Sequence, residues 1–179
     1  KTAYEITYGD WSSDVCSSDL SIPVPGDRAA QTVSQLTKAI LRLQEKANLD
    51  LKNVNFCHKI ASFGNYDKYP RDEFSPGQEV LLYAEVANIH SEPTSDGRFR
   101  TSLKSTLEIY RHGAVDEPVE QIELPETIDL CRTHRRDYFH SYQFTIPPKL
   151  ALGPHVLKLT VEDQLSRRAT TYSLNFMVK

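Results

Sequence analysis

From Asn53 to the C-terminus, apolar and polar residues alternate with a period of two, and no helical spacing interrupts them. Successive side chains of a strand point to opposite faces, so such a chain folds as strands with one buried and one wet face. Seven runs show the pattern. Val54, Phe56, His58 and Ile60 make the first, and Val80, Leu82, Ala84 and Val86 the second. In the third, Phe99, Thr101, Leu103, Leu107 and Ile109 share a face, with Arg100, Lys104 and Glu108 opposite. Val119 to Leu124 is short and stopped by Pro125. Tyr138, His140, Tyr142, Phe144 and Ile146 run up to Pro147-Pro148. Leu157, Leu159 and Val161 follow Gly153-Pro154, and Tyr172, Leu174, Phe176 and Val178 close the series.

Turn-formers separate these runs. Tyr66 to Asp72 reads as a polar loop, Ser91 to Gly97 as a second, and Asp163 to Arg168 as a polar turn. In Phe74-Ser75-Pro76-Gly77 the proline holds φ and the glycine is free to take a positive one. Half-buried strands joined in this way predict an all-β fold over 51–179, an antiparallel sandwich with Greek-key links.

Ahead of the strands the period changes. After the extended Ser-Ile-Pro-Val-Pro-Gly lead (21–26), Asp27 is suited to cap a helix, because its carboxylate accepts orphan amide hydrogens. Val33, Leu36, Ile40, Leu43 and Ala47 then recur at 3-4-3-4 spacing, one face of an amphipathic helix over 29–48 with Gln35, Lys38, Arg42 and Lys46 on the wet side. Asn48 and Asp50 suit its end. That stripe calls for a cover: the sandwich, a partner protein, or an upstream region of the same chain. Two heptads make a poor coiled coil, which favours an upstream helix.

Residues 1–20 have a different origin. Lys-Thr-Ala-Tyr-Glu-Ile (1–6) and Asp-Trp-Ser-Ser-Asp-Val-Cys-Ser-Ser-Asp-Leu (10–20) are one-frame translations of the two halves of a common indexing adapter. Thr7-Tyr8-Gly9 falls where its variable index lies. The segment is therefore expected to be an adapter artefact, with native sequence beginning near Ser21 and the natural N-terminus missing. Setting aside Lys1, Glu5, Asp10, Asp14 and Asp19 lowers the 21 basic and 24 acidic residues to 20 of each. A neutral chain with no basic stripe argues against nucleic acid as a partner. No run approaches the ~18 apolar residues of a membrane span.

Two segments, FSPGQEVLLYAEV (74–86) and LGPHVLKLTVED (152–163), resemble strands of bacterial immunoglobulin-like domains. Together with CRTHRRDYF (131–139) and LDLKNVNFC (49–57) they resemble uncharacterised envelope proteins of planctomycete bacteria. The resemblance implies an immunoglobulin-like sandwich and a cell-envelope or periplasmic setting, and it carries no activity. Against the antibody pattern the native part lacks a core Trp, cysteines on the two facing strands, and the corner Tyr.

Chemistry-bearing residues are sparse. Cys131-Arg132-Thr133-His134-Arg135-Arg136-Asp137 is the densest polar cluster. Arg132, His134, Arg135 and Arg136 are candidate ligands for a carboxylate, a phosphate or an acidic partner, since guanidinium forks suit such groups. Internal pairing with Asp129 or Asp137 would make the same residues a solvated loop. Cys57 and Cys131 are candidates for a disulfide, which in the chain-entropy model would stabilise by about 4 kcal/mol, or for two buried thiols. Cys131-x-x-His134, with His140 or Cys57-His58, lacks the second tight pair a zinc site needs, so no metal and no cofactor is expected. Tyr66, Tyr69, Tyr83, Tyr138 and Tyr142 invite a sugar-stacking platform, yet alternation turns Tyr138 and Tyr142 inward. Asp116-Glu117 and Glu162-Asp163 read as solvated carboxylate pairs. No Gly-x-Ser-x-Gly, His-Glu-x-x-His or phosphate loop occurs. The expectation is a non-catalytic structural or protein-interaction module, with an accessory domain of an upstream enzyme and a carbohydrate-binding module as alternatives.

Overall fold

A computed structural model describes residues 25–44, 46–114 and 117–179. The readings of residues 1–20 as adapter and 21–24 as extended lead lie outside the described residues. The chain divides into two units, one up to Leu41 and one from Arg42 onward.

Helix α1 spans Pro25–Gln44. It starts earlier than its apolar stripe, so Asp27 lies inside the first turn instead of capping it. Proline is tolerated there because its missing N–H would have no intrahelical partner, and an acidic side chain in the first turn complements the helix dipole. The helix also stops short of Asn48. Val33, Leu36, Ile40 and Leu43 are each more than half exposed.

The second unit is all-β and immunoglobulin-like. Its strands are β1 (Asp50–Ser62), β2 (Asn65–Lys68), β3 (Glu73–Phe74), β4 (Glu79–Ala87), β5 (Glu92–Pro93), β6 (Phe99–Arg111), β7 (Glu120–Glu123), β8 (Thr127–Cys131), β9 (Phe139–Thr145), β10 (Gly153–Asp163) and β11 (Arg168–Val178). One sheet has the order β2-β1-β4-β9; the other runs β3-β11-β10-β6-β5, with β7 and β8 also pairing β6. The chain passes from β4 in the first sheet to β6 in the second, back to β9, then across to β10, a Greek-key path. All pairings are antiparallel except β3 with β11, where the chain after β2 joins the opposite sheet beside the last strand.

All seven expected strands are present, and four short ones join them. Tyr66 to Asp72 is not wholly a loop, because its first half pairs with β1 as β2. The polar content of Asn65–Lys68 concealed an edge strand that buries no side chain fully. β8 was hidden similarly, since Ile128 and Leu130 are exposed and its inward side carries Asp129.

Alternation in β1 is broken by a bulge. The register with β4 shifts between Lys52 and Asn55, where Asn53 adopts a φ of 50°. Asparagine tolerates that conformation and an extra residue then fits the strand. Leu51 and Val54, three apart, both face the core as a result. A second register shift, against β2, follows Cys57. It leaves His58 exposed against Tyr69, 3.6 Å between ring centroids, instead of in the core.

Elsewhere the pattern holds, except at Tyr172 in the first half of β11 and Val119 just before β7, which are exposed. Val80, Leu82, Ala84 and Val86 from one sheet meet Leu103, Leu107, Ile109, Leu157, Leu159 and Val161 from the other in a single core. Phe56, Phe74 and Phe176 pack edge-on or tilted within it, with centroids 4.9 to 6.1 Å apart. The turn before β4 lies one residue later than Phe74–Gly77, because Phe74 belongs to β3: the Gln78 N–H donates to the Ser75 carbonyl over 3.0 Å, and Gly77 takes the expected positive φ, 78°.

Candidate functional site

Three polar assemblies stand out among the described residues: the loop after β8, a buried carboxylate with a half-buried arginine where β10 turns into β11, and a neutral cluster beneath β9.

The loop after β8 contains the sequence-derived candidates. Cys131 is the last residue of β8, opposite Phe99 of β6, and Arg132 to Tyr138 form the loop itself. Arg135 lays its guanidinium on Asp129 in a two-point fork, Nε to Oδ2 at 2.8 Å and Nη2 to Oδ1 at 3.0 Å. Asp129 faces it because β8 turns that side chain away from exposed Ile128 and Leu130. The fork raises the Arg135 pKa further above its ordinary range, chiefly through the hydrogen bonds to Asp129. The His134 ring lies over Phe99, 3.9 Å between centroids. Two of the four candidates are therefore committed within the fold. Arg132 and Arg136 are exposed. Arg132 borders an open groove of about 720 Å³ shared with Asp96, Gly97, Arg98 and Leu130. Its opposite wall is already neutralised. Arg98 pairs with Asp96, whose carboxyl is held down to about 2 by hydrogen bonds from Arg98 and Thr94.

The cysteines are not joined. Both are free thiols, Cys57 buried in the first sheet and Cys131 half-buried at the end of a strand in the second. Register decides this: Cys57 lies between Leu81 and Lys68, and Cys131 faces Phe99. The alternative of two buried thiols also needs correcting, for Cys131 only. Burial pushes the Cys57 thiol up to about 11. Hydrogen bonds from Thr133 pull Cys131 below the ordinary thiol range. Among the described residues no three His, Cys, Asp or Glu side chains gather as a metal site.

The second assembly escaped sequence reasoning. Asp163 is not a solvated carboxylate: it is fully buried and accepts N–H groups from His90 at 2.8 Å, Leu165 at 3.0 Å and Ser166 at 3.1 Å. Arg168 lies 3.5 Å from it and donates to the carbonyls of Ala47 and of Asn88, the latter at 2.9 Å. Asn88 in turn donates its side-chain amide to the Asn48 carbonyl at 2.9 Å. Three separated stretches of backbone, 47–48, 88–90 and 163–168, are thereby tied together. Its position at the close of the β10 alternation, in the inward phase set by Val161, was the available signal.

The third assembly is uncharged. On β9 the inward side chains are His140, Tyr142 and Phe144, and opposite them β6 presents Ser105. Ser105 Oγ and the Tyr142 hydroxyl are 2.9 Å apart, and the His140 ring stacks on Tyr142 with centroids 5.1 Å apart. His140 is 8 % exposed, and its Nε2 has no hydrogen-bond partner among the described residues. Burial lowers its pKa to about 4, so the imidazole is neutral at neutral pH. A cavity of about 170 Å³ opens here, bounded by Ser105, Leu124, Pro125, Thr127, His140 and Tyr142.

No protein-family model matches the chain, and no curated protein matches it. Among solved structures it is similar to a β-glucosidase from Listeria innocua, with a TM-score of 0.38 and 10% identity over 73% of this chain. A mutant of that enzyme in complex with laminaribiose aligns with a TM-score of 0.35 and 10% identity over 74% of the chain. The chain spans 16% of the enzyme's length in both cases. Likeness at these values lends no support to any function. No described helix is long and apolar enough to cross a membrane.

Proposed function

We propose that this chain is a non-catalytic structural or protein-interaction module of a larger protein, in the bacterial envelope setting that its sequence resemblance implies. One observation carries the reading: the densest polar cluster spends its fork on an internal partner, Arg135 on Asp129. A site that recognises an anion or activates a nucleophile keeps such groups free and convergent. Here the buried imidazole of His140 stacks on a tyrosine, and Ser105 bonds a phenol instead of a base. The free edges of the two sheets remain as the surfaces with unmet backbone hydrogen-bonding capacity, and those are the surfaces through which sandwiches bind extended partners.

The sugar-platform alternative is less well supported. Tyr83, Tyr138 and Tyr142 are buried and Tyr66 and Tyr69 half-buried, which leaves little flat ring surface for stacking. A panel of chromogenic esters, phosphate esters and glycosides tests the reading directly. No turnover above buffer is expected. Turnover that disappears on substituting Ser105 or His140 would overturn it.

A further inference from the structure

We infer that the free edge of β9 docks one extended peptide segment of a partner protein, which adds to the four-stranded sheet as a fifth strand and turns an uncharged hydrogen-bonding side chain into the cavity beside His140. This deepens the module reading and rests on it.

β9 is the outermost strand of its sheet, and no described strand pairs with its far side. Alternate N–H and C=O groups along Phe139–Thr145 therefore point away from β4 without a sheet partner. Proteins ordinarily guard such an edge with lysine, proline, a bulge or extreme shortness. Most of the other outer strands here are guarded. β2 carries Asp67 and Lys68 and pairs in a shifted register, β3 and β5 are two residues each with Pro93 in the latter, β7 carries Glu120 and Glu123, and β8 carries Asp129. β11 is covered by β3 only at Met177 and Val178. β9 has none of these guards. Its sequence Phe-His-Ser-Tyr-Gln-Phe-Thr has no charge, proline or glycine, and its seven-pair register with β4 is unbroken.

An unguarded edge alone selects nothing, because any extended chain supplies backbone partners. The cavity supplies the selection. It lies directly beside the edge, since Ser141 and Gln143 of the exposed side also border it. At about 170 Å³ it is several times the ~30 Å³ share of one water molecule and large enough for one side chain. None of the described residues that line it is charged. An ion entering would lose its hydration without a counter-charge, whereas a hydroxyl or carboxamide can bond the unpartnered Nε2 of His140. The segment that fits is a β-strand with Ser, Thr, Asn or Gln at the position facing His140. Backbone pairing provides affinity and that side chain provides choice.

The experiment follows amide hydrogen exchange of Phe139–Thr145 in the full chain. Two panels of nine-residue peptides with terminal lysines are added, one alternating Val with Thr, Ser, Asn or Gln and one alternating Val with Leu. At least one polar peptide is expected to slow exchange across β9 about tenfold or more. The effect should vanish in the Ser141→Lys/Gln143→Lys variant, which alters only exposed positions. His140→Phe should weaken polar peptides at least fivefold and leave the aliphatic panel unaffected. The inference is overturned if neither panel slows exchange in β9, or if protection appears on another strand. It is equally overturned if β9 is already protected in the dilute chain or becomes so with protein concentration alone, which would assign the edge to this chain's own segment or to a second copy. Silence at β9 sinks only this inference, whereas turnover in the substrate panel sinks the module reading beneath it.

Discussion

The Asp163–Arg168 pair and the Arg132–Arg136 loop contain the same chemical groups in opposite settings. At the β10–β11 turn one carboxylate is fully buried, and its guanidinium partner bonds two distant carbonyls. In the loop three guanidiniums and a histidine are crowded into five residues, yet the one fork among them lies on the surface. Charge density along the chain thus points to the loop, and energetic consequence points to the turn. The difference is dielectric: water screens the loop, whereas a group that has already given up its hydration is left uncompensated when its partner is removed.

Removing the buried carboxylate is the strongest way to break this comparison. Asp163→Ala leaves three N–H groups without their acceptor and Arg168 without its counter-charge, and is expected to cost about 3–5 kcal/mol in urea unfolding. A loss below about 1 kcal/mol would equate the turn with the loop.

His140 sharpens the comparison, being buried but unpaired. In the unfolded chain its imidazole takes up a proton near 6.5, in the fold only near 4. Between those values protons favour the unfolded chain, so the stability present above pH 6.5 is lost progressively as pH falls toward 4. The full loss is about 3 kcal/mol at ~1.4 kcal/mol per pKa unit. The difference in pH dependence between the native chain and His140→Phe isolates that contribution from the carboxylates, and parallel curves would show that the imidazole is solvated.

The loop should respond weakly. Arg135→Ala is expected to lower stability by about 1 kcal/mol or less, and Arg132→Ala or Arg136→Ala by about 0.5 kcal/mol or less. The thiols give the finest reading. In a Cys16→Ser background at pH 7.5, maleimide should label Cys131 at least tenfold faster than Cys57, because only Cys131 combines partial exposure with a lowered pKa. Equal rates would mean that the first sheet opens around Cys57.

Local chemistry made much of this molecule legible. The period of two specified seven strands and the inward faces of β4, β6 and β10, and Pro76-Gly77 marked the turn before β4 to within one residue, because each depends on residues adjacent in the chain. It erred where one residue shifted a register: the Asn53 bulge changed which β1 side chains entered the core, and Lys52 to Val54 give no periodic warning of it. Four short strands escaped because pairing with a neighbour, and not a run of alternating burial, makes them strands; β3 buries Phe74 alone. In the candidate site, the possibility that Arg135 and Asp129 pair was open from their closeness in sequence, and the structure made it fact. The ties from Arg168 to Ala47 and Asn88, the meeting of Ser105 with Tyr142, and the separation of Cys57 from Cys131 each join or part residues dozens of positions apart. Alternation along a strand settles which way a side chain points. Only the closing of two sheets on each other settles what it meets there.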